Sequence, residues 1–144
     1  MQRVRRSALV GVSATQMCDL GDDVAAYPEF LPWCSNAVEH ERDESEVRAT
    51  LELNKGGVSK QFTTRNVRAR GESLEMQLLD GPFSHLHGVW QFAPMGEEGS
   101  KVSLNIDFEF SNMMVGLMFG GFFEQTCNSL VDAYIRRAHD VYAA

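Results

Sequence analysis

Hydrophobic and polar positions alternate along most of this chain, and near Ser111 the period changes. Val47, Ala49, Leu51 and Leu53 alternate with Arg48, Thr50 and Glu52, which predicts a half-buried strand. Val102, Leu104, Ile106, Phe108 and Phe110 alternate just as cleanly with Ser103, Asn105, Asp107 and Glu109. Between them come a long polar strand from Val58 to Val67 with Phe62 turned inward, a strand carrying Leu74, Met76 and Leu78, and one with Leu86, Gly88, Trp90 and Phe92 on a single face. A weaker strand spans Ala37 to Arg42 and a first strand spans Arg3 to Val10. Asn54-Lys55-Gly56-Gly57 reads as a hairpin turn, Asp80 to Phe83 as a turn or bulge, and Pro94 to Gly99 as a loop.

From Ser111 to Tyr142 the spacing is helical. Phe119, Phe123, Cys127, Leu130, Tyr134, Ala138 and Val141 recur at steps of three and four and share one face. Asp132, Arg136 and Asp140 are spaced for i,i+4 pairing on another face. Ser111 or Asn112 supplies the cap. At about 1.5 Å per residue the helix spans about 45 Å. Its beginning is apolar nearly all round: Met113, Met114, Val115, Leu117, Met118, Phe119, Phe122 and Phe123, with Gly116, Gly120 and Gly121 among them. Two readings compete for it: a fully buried, irregular helix start, or an adaptable wall of a pocket for an apolar ligand.

Ser13 caps a short helix from Ala14 to Leu20, and Gly21-Asp22-Asp23 breaks it. In the segment that follows, Pro28 and Pro32 forbid a continuous helix or strand, while Val24, Tyr27, Phe30, Leu31 and Trp33 require packing. A turn of helix and a tight apolar corner result, placed to act as a lid or plug. The whole is an α+β arrangement: an antiparallel sheet of about seven strands curled round a long C-terminal helix, with two short helices after the first strand. A sheet gripping a helix leaves a gap suited to a ligand.

The 144 residues make one domain, 1–144, large enough to bury a core. A net charge of −7 argues against DNA and against bulk electrostatic binding of nucleic acid. Arg3, Arg5 and Arg6, and again Lys60, Arg65, Arg68 and Arg70, form local basic stretches, each most simply a solvated strand face. Cys18, Cys34 and Cys127 fit neither a zinc pattern nor a disulfide framework and point to a reducing cytoplasm. The basic start at Met1 to Arg6 has no apolar stretch behind it, so no signal peptide is expected.

Three motifs carry a resemblance. Asp23-Val24-Ala25-Ala26-Tyr27-Pro28-Glu29-Phe30-Leu31-Pro32-Trp33-Cys34 closely resembles the signature D-V-x-x-Y-P-x-F-L-P-W-C. Asp80-Gly81-Pro82-Phe83 with Leu86-His87-Gly88-Val89-Trp90-Gln91-Phe92 resembles D-G-P-F-x-x-L-x-G-x-W-x-F, and Phe108-Glu109-Phe110 before the last helix also fits. These are similar to the polyketide cyclase-like branch of the helix-grip, START-like superfamily, the branch that holds coenzyme Q-binding proteins and bacterial ribosome association toxins. The resemblance implies the helix-grip fold and two functions. One is non-catalytic binding of ubiquinone or another isoprenoid lipid in support of respiration, with transient contact at the inner membrane. The other is binding of the large (50S) ribosomal subunit so that the 70S particle does not form. A cyclase-like enzyme is a third possibility that the superfamily allows. The Met- and Phe-rich helix start favours the lipid pocket, and Phe30, Trp33, Phe62, Met76, Trp90, Phe108, Met118, Phe119, Phe122 and Phe123 are the side chains expected to line it. Phe119→Asp is the substitution that reading singles out.

Little in the residues suggests catalysis. Asp22 and Asp23 are adjacent and so point apart, which suits a cap better than an acid/base pair. His85 and His87 share a strand face opposite Leu86 and Trp90, with no third metal ligand spaced to join them. Cys34 has no histidine near it in sequence. No phosphate loop, dinucleotide fingerprint or zinc motif is present.

Overall fold

Alternation becomes seven strands in the computed structural model, which describes residues 1–142. They are β1 Gln2–Val10, β2 Cys34–Arg42, β3 Glu46–Lys55, β4 Val58–Ala69, β5 Ser73–Asp80, β6 Phe83–Met95 and β7 Gly99–Phe110. All pair antiparallel, in the order β1-β7-β6-β5-β4-β3-β2. The run from β2 to β7 is a meander; β1 closes onto its far side, and β1 and β2 are the free edges. The crossover between them carries helix α1 (Ala14–Asp22), a 3-10 turn at Val24–Ala26 and the single-turn helix α2 (Tyr27–Phe30). The long helix, α3, is Met113–Tyr142.

Turn chemistry sets the register. Gly56 and Gly57 have φ of 57° and 89°, so Lys55 pairs with Val58 across a two-residue loop whose positive φ angles glycine adopts without strain. Two strands outrun the sequence reading. β2 begins at Cys34 instead of Ala37, held by the backbone bonds from Cys34 N to Leu31 O and from Asn54 N to Trp33 O. β6 continues through Pro94 to Met95 because it pairs there with β7, Pro94 opposite Ser100. Proline is tolerated because β5 begins at Ser73, opposite Gln91, so the side of β6 toward which Pro94 lacks an N–H has no strand to serve.

The concave face holds Val47, Ala49, Leu51 and Leu53 of β3, Phe62 of β4, and Val102, Leu104, Ile106 and Phe108 of β7, all buried. Period two also carries Thr64 and Asn66 to this face, where the threonine hydroxyl donates to the Asn66 side-chain oxygen Oδ1 at 3.0 Å. Helix α3 lies on the concave face with Phe119, Phe123, Cys127, Leu130, Tyr134 and Ala138 buried. Each large side chain among them contributes about 1.5–3 kcal/mol by leaving water. Val141, the last member of the predicted stripe, is 52% exposed, and Tyr142 beside it packs against the core instead. Asp132 does not pair along the helix; its carboxylate meets Arg6 of β1 at 3.6 Å.

The outer face is a lattice of ion pairs that absorbs the arginines of both basic stretches. Arg3 and Arg5 face Asp107, Arg65 faces Glu46, and Arg70 faces Asp19. Asp22 accepts from both Arg42 and Arg68 at 2.8 Å, tying α1 to β2 and β4. Asp22 is thus a cross-brace, and Asp23 stands at the end of α1 with its backbone N–H on Leu20 O.

Candidate functional site

The proline-bounded corner is pinned to α3 by two phenols. Pro28 sits in the first turn of α2, where its missing N–H costs nothing. Tyr27 is thereby turned inward; its hydroxyl donates to Gly21 O at 2.5 Å and accepts from the Tyr134 hydroxyl at 2.7 Å. Burial drives both phenols far above their ordinary pKa, so neither ionises in the folded protein. Tyr134 also stacks on Trp90, with ring centroids 4.3 Å apart and planes 10° apart. At the other end of α3, Phe123 meets Phe108 edge-on at 4.8 Å and also contacts Phe62 and Phe83.

Between these two aromatic groups lies a cavity of about 40 Å³, room for about three waters. Trp33 closes one side of it, and Leu51, Met76, Ile106, Cys127 and Leu130 complete an apolar wall. Its polar groups are the two phenols, the Thr126 hydroxyl, the Cys127 thiol and the Trp33 indole. Burial pushes the Cys127 thiol up to about 12. No lining group changes protonation near neutrality, so the cavity offers shape, a few weak donors and no acid/base pair. The buried indole Nε1 of Trp33 has no hydrogen-bond partner among the described residues. Trp33 also faces an open groove of about 500 Å³ beside Pro32, Lys55, Phe122 and Ser129.

Five of the residues expected at a pocket do converge on this cavity: Trp33, Phe62, Met76, Trp90 and Phe123. The other five lie elsewhere. Phe30 packs outside it against Tyr27 and Tyr134, under the Arg137 guanidinium. Phe108 belongs to the aromatic cluster at the far end, and Phe122 lines the outer groove. Phe119 is fully buried packing, so Phe119→Asp would test folding and not a ligand. Met118 is exposed, and its carbonyl accepts from Lys55 Nζ at 2.7 Å. Cys127, Leu130 and Tyr134 were legible only as a core stripe; their place one, two and three turns beyond Phe123 on the same face was the available signal.

The start of α3 is not fully buried; its apolar side chains stand largely exposed, and two of them wall an open groove. Met113, Met114, Leu117 and Met118 are 84, 71, 81 and 43% exposed. Gly116 and Gly120 turn toward the sheet, where a Cβ would lie 3.7 Å from Phe110 and 4.0 Å from Gln2, both ordinary contact distances, and the large side chains point away because the buried stripe from Phe119 onward fixes the rotation of the same helix. The result is an apolar surface beside an open groove of about 360 Å³ floored by the two glycines and walled by Met113, Leu117, Phe108 and Phe110. Asn112 caps the helix, its side-chain oxygen accepting from Met114 N and Val115 N.

His85 and His87 lie half-exposed on the outer face, where His87 Nε2 is 3.2 Å from Glu75. Among the described residues no three His, Cys, Asp or Glu side chains group as a metal site, and no helix is long and apolar enough to cross a membrane. Cys34 is buried, and its thiol is pushed up to about 11 by that burial.

The family model described as polyketide cyclase / dehydrase and lipid transport matches residues 10–135. The chain is 47% identical over 142 residues to a protein of Vibrio cholerae named Ribosome association toxin RatA, covering 99% of each. It is 46% identical over 139 residues to the protein of the same name from Pseudomonas aeruginosa, covering 96% of each. A more distant relative, from Xenopus laevis, is Coenzyme Q-binding protein COQ10 homolog B, mitochondrial; it is 28% identical over 94% of this chain and 57% of its own length. Among solved structures, a protein from Thermus thermophilus superposes with a TM-score of 0.84 over 98% of this chain and 99% of that one. The Zhui aromatase/cyclase from Streptomyces superposes at 0.83 over 99% and 98%. Both are 16% identical and speak to the fold alone.

Proposed function

The chain belongs to the polyketide cyclase / dehydrase and lipid transport family, and we propose that it acts as a non-catalytic, ribosome-associating protein that binds the large subunit and opposes formation of the 70S particle. The cavity carries this reading. Small-molecule sites commonly enclose about 300–1,000 Å³, and this interior leaves about 40 Å³. A chain so nearly filled acts through its surface. Relatives of matching length at 46 and 47% identity bear the name ribosome association toxin, which supplies the partner. The cytoplasm, where ribosomes work, is the corresponding place of action. A sucrose gradient of a lysate containing the tagged chain tests this. The chain is expected in the large-subunit fractions, with 70S depleted when it is overproduced. Recovery only at the top of the gradient at every level of expression would refute it.

A second reading, a quinone or other isoprenoid lipid held at the cavity, is favoured by one observation, the unpartnered indole N–H of Trp33. A quinone carbonyl oxygen would satisfy that donor, and the tail would add apolar burial at about 25 cal/mol per Å². Entry requires the Trp33 corner to swing toward the outer groove. Native mass spectrometry of protein from its own cells, with lipid extraction, separates the two readings. A stoichiometric isoprenoid that Trp33→Ala loses would establish the second, and an empty protein would remove it.

A further inference from the structure

We infer that the start of α3 is the docking surface, and that its occupant is an apolar patch on a protein component of the ribosome. This rests on the ribosome-association reading and names the partner class within it. Met113, Met114, Leu117 and Met118 form an apolar surface on one face of the helix, and the glycine-floored groove beside it has the breadth to seat a side chain. Burying two or three such side chains is worth several kcal/mol before ordering costs. Unbranched methionines adapt to a partner's contour.

Charge decides between protein and phosphate. From Ser111 to Phe123 there is no charged residue. The flanking cation, Lys55, is engaged with Met118 O, and the Met1 ammonium lies 3.9 Å from Glu109. The arginines of both basic stretches already face carboxylates: Arg3 and Arg5 face Asp107, Arg6 faces Asp132, Arg65 faces Glu46, Arg68 faces Asp22, and Arg70 faces Asp19. An RNA backbone needs free Lys and Arg to release its counterions, and an anionic bilayer needs a basic rim. This surface offers a single such cation, Lys55, and no basic rim, and the net charge of −7 repels both. The same charge attracts a basic protein, so the partner's apolar anchors are expected to stand among lysines and arginines.

Purified large ribosomal subunits are mixed with the intact chain, with Leu117→Asp and Met114→Asp, and with Val38→Asp as a control. Val38 is 43% exposed on the β2 edge, away from α3, and all three sites are exposed enough for the fold to persist, which circular dichroism checks. The expected result is at least tenfold weaker co-sedimentation for Leu117→Asp and Met114→Asp and none of that loss for Val38→Asp. Photo-crosslinking from position 117 is expected to label a basic ribosomal protein. Equal binding by all variants overturns the docking surface and leaves ribosome association standing, whereas no binding even by the unaltered chain removes both. Equal binding to deproteinised ribosomal RNA, retention on phosphatidylglycerol vesicles, or a self-associated species that Leu117→Asp abolishes would each overturn the protein partner. They would assign the face to RNA, lipid or a second copy, respectively.

Discussion

Tyr27 and Tyr134 bear unequal loads in their shared hydrogen bond. Tyr134→Phe removes one donor and leaves Tyr27 still bonded to Gly21 O. Tyr27→Phe strands two groups, the Tyr134 hydroxyl and the Gly21 carbonyl. Urea unfolding should show about 1 kcal/mol lost in the first variant and about 2–3 in the second, because an unmet buried group costs more than a net hydrogen bond gives. Equal losses would refute that division. Gly81 poses a sharper residue-scale test. Its φ is 148°, and a Cβ there would meet the Cβ of Phe62 at 2.6 Å. Gly81→Ala should cost about 3 kcal/mol or more, read as a lowered Tm. Such residues divide by how far their role can be read in advance. The proline corner of Tyr27 to Trp33 was legible as packed. Its hydroxyl partner was not, because Tyr27 and Tyr134 are joined only by the fold.

Helix α3 is legible in its second half and misleading in its first. Phe119 to Ala138 has a polar face and an apolar face, so its orientation follows from spacing. Met113 to Met118 is apolar in every direction and carries no such information. Its rotation is inherited from the buried stripe that follows on the same helix, Phe119, Phe123 and Cys127. Asn112 matters because so little else holds this end. Asn112→Ala should cost about 1 kcal/mol, and it should lower helicity at the start of α3, observable as lost amide protection at Met114 and Val115 with the core unchanged. Unchanged protection would mean the sheet, and not the cap, orders this turn. The strands show the same contrast: the faces of β3 and β7 were clear from alternation, while the extensions of β2 and β6 depend on neighbours that only the folded sheet provides.

At the scale of the molecule, buried thiols and phenols couple stability to alkaline pH. Burial raises Cys18, Cys34, Cys127, Tyr27 and Tyr134. In the unfolded chain thiols ionise from about pH 8.5 and phenols from about 10. The folded protein keeps them protonated above those values, so their contribution is complete below about pH 8.5 and is lost as pH rises. The urea midpoint should therefore fall between pH 7 and pH 10, and a thiol reagent at pH 8 should label cysteine only after unfolding. A midpoint indifferent to pH over that range, or rapid labelling of the native chain, would contradict the burial. The whole molecule also shows where chemistry was over-read. Aromatic richness predicted a pocket, and five of ten residues do surround a void, but aromatic side chains are large enough to fill the space they enclose. What remains is a gap the size of about three waters.

The exposed beginning and buried remainder of α3 imply one helix with two lifetimes. Residues from Phe119 onward release their amides to exchange only when the sheet lets go, a global event. Residues before it are held by the Asn112 cap and by Lys55 on Met118 O, and they open by local fraying. A partner seated on that end would slow exchange at Met114 to Met118 by stabilising an already helical turn. The clock to watch is then the fraying rate of a single turn, set by the cell's supply of whatever covers it, while the rest of the molecule keeps its own slower time.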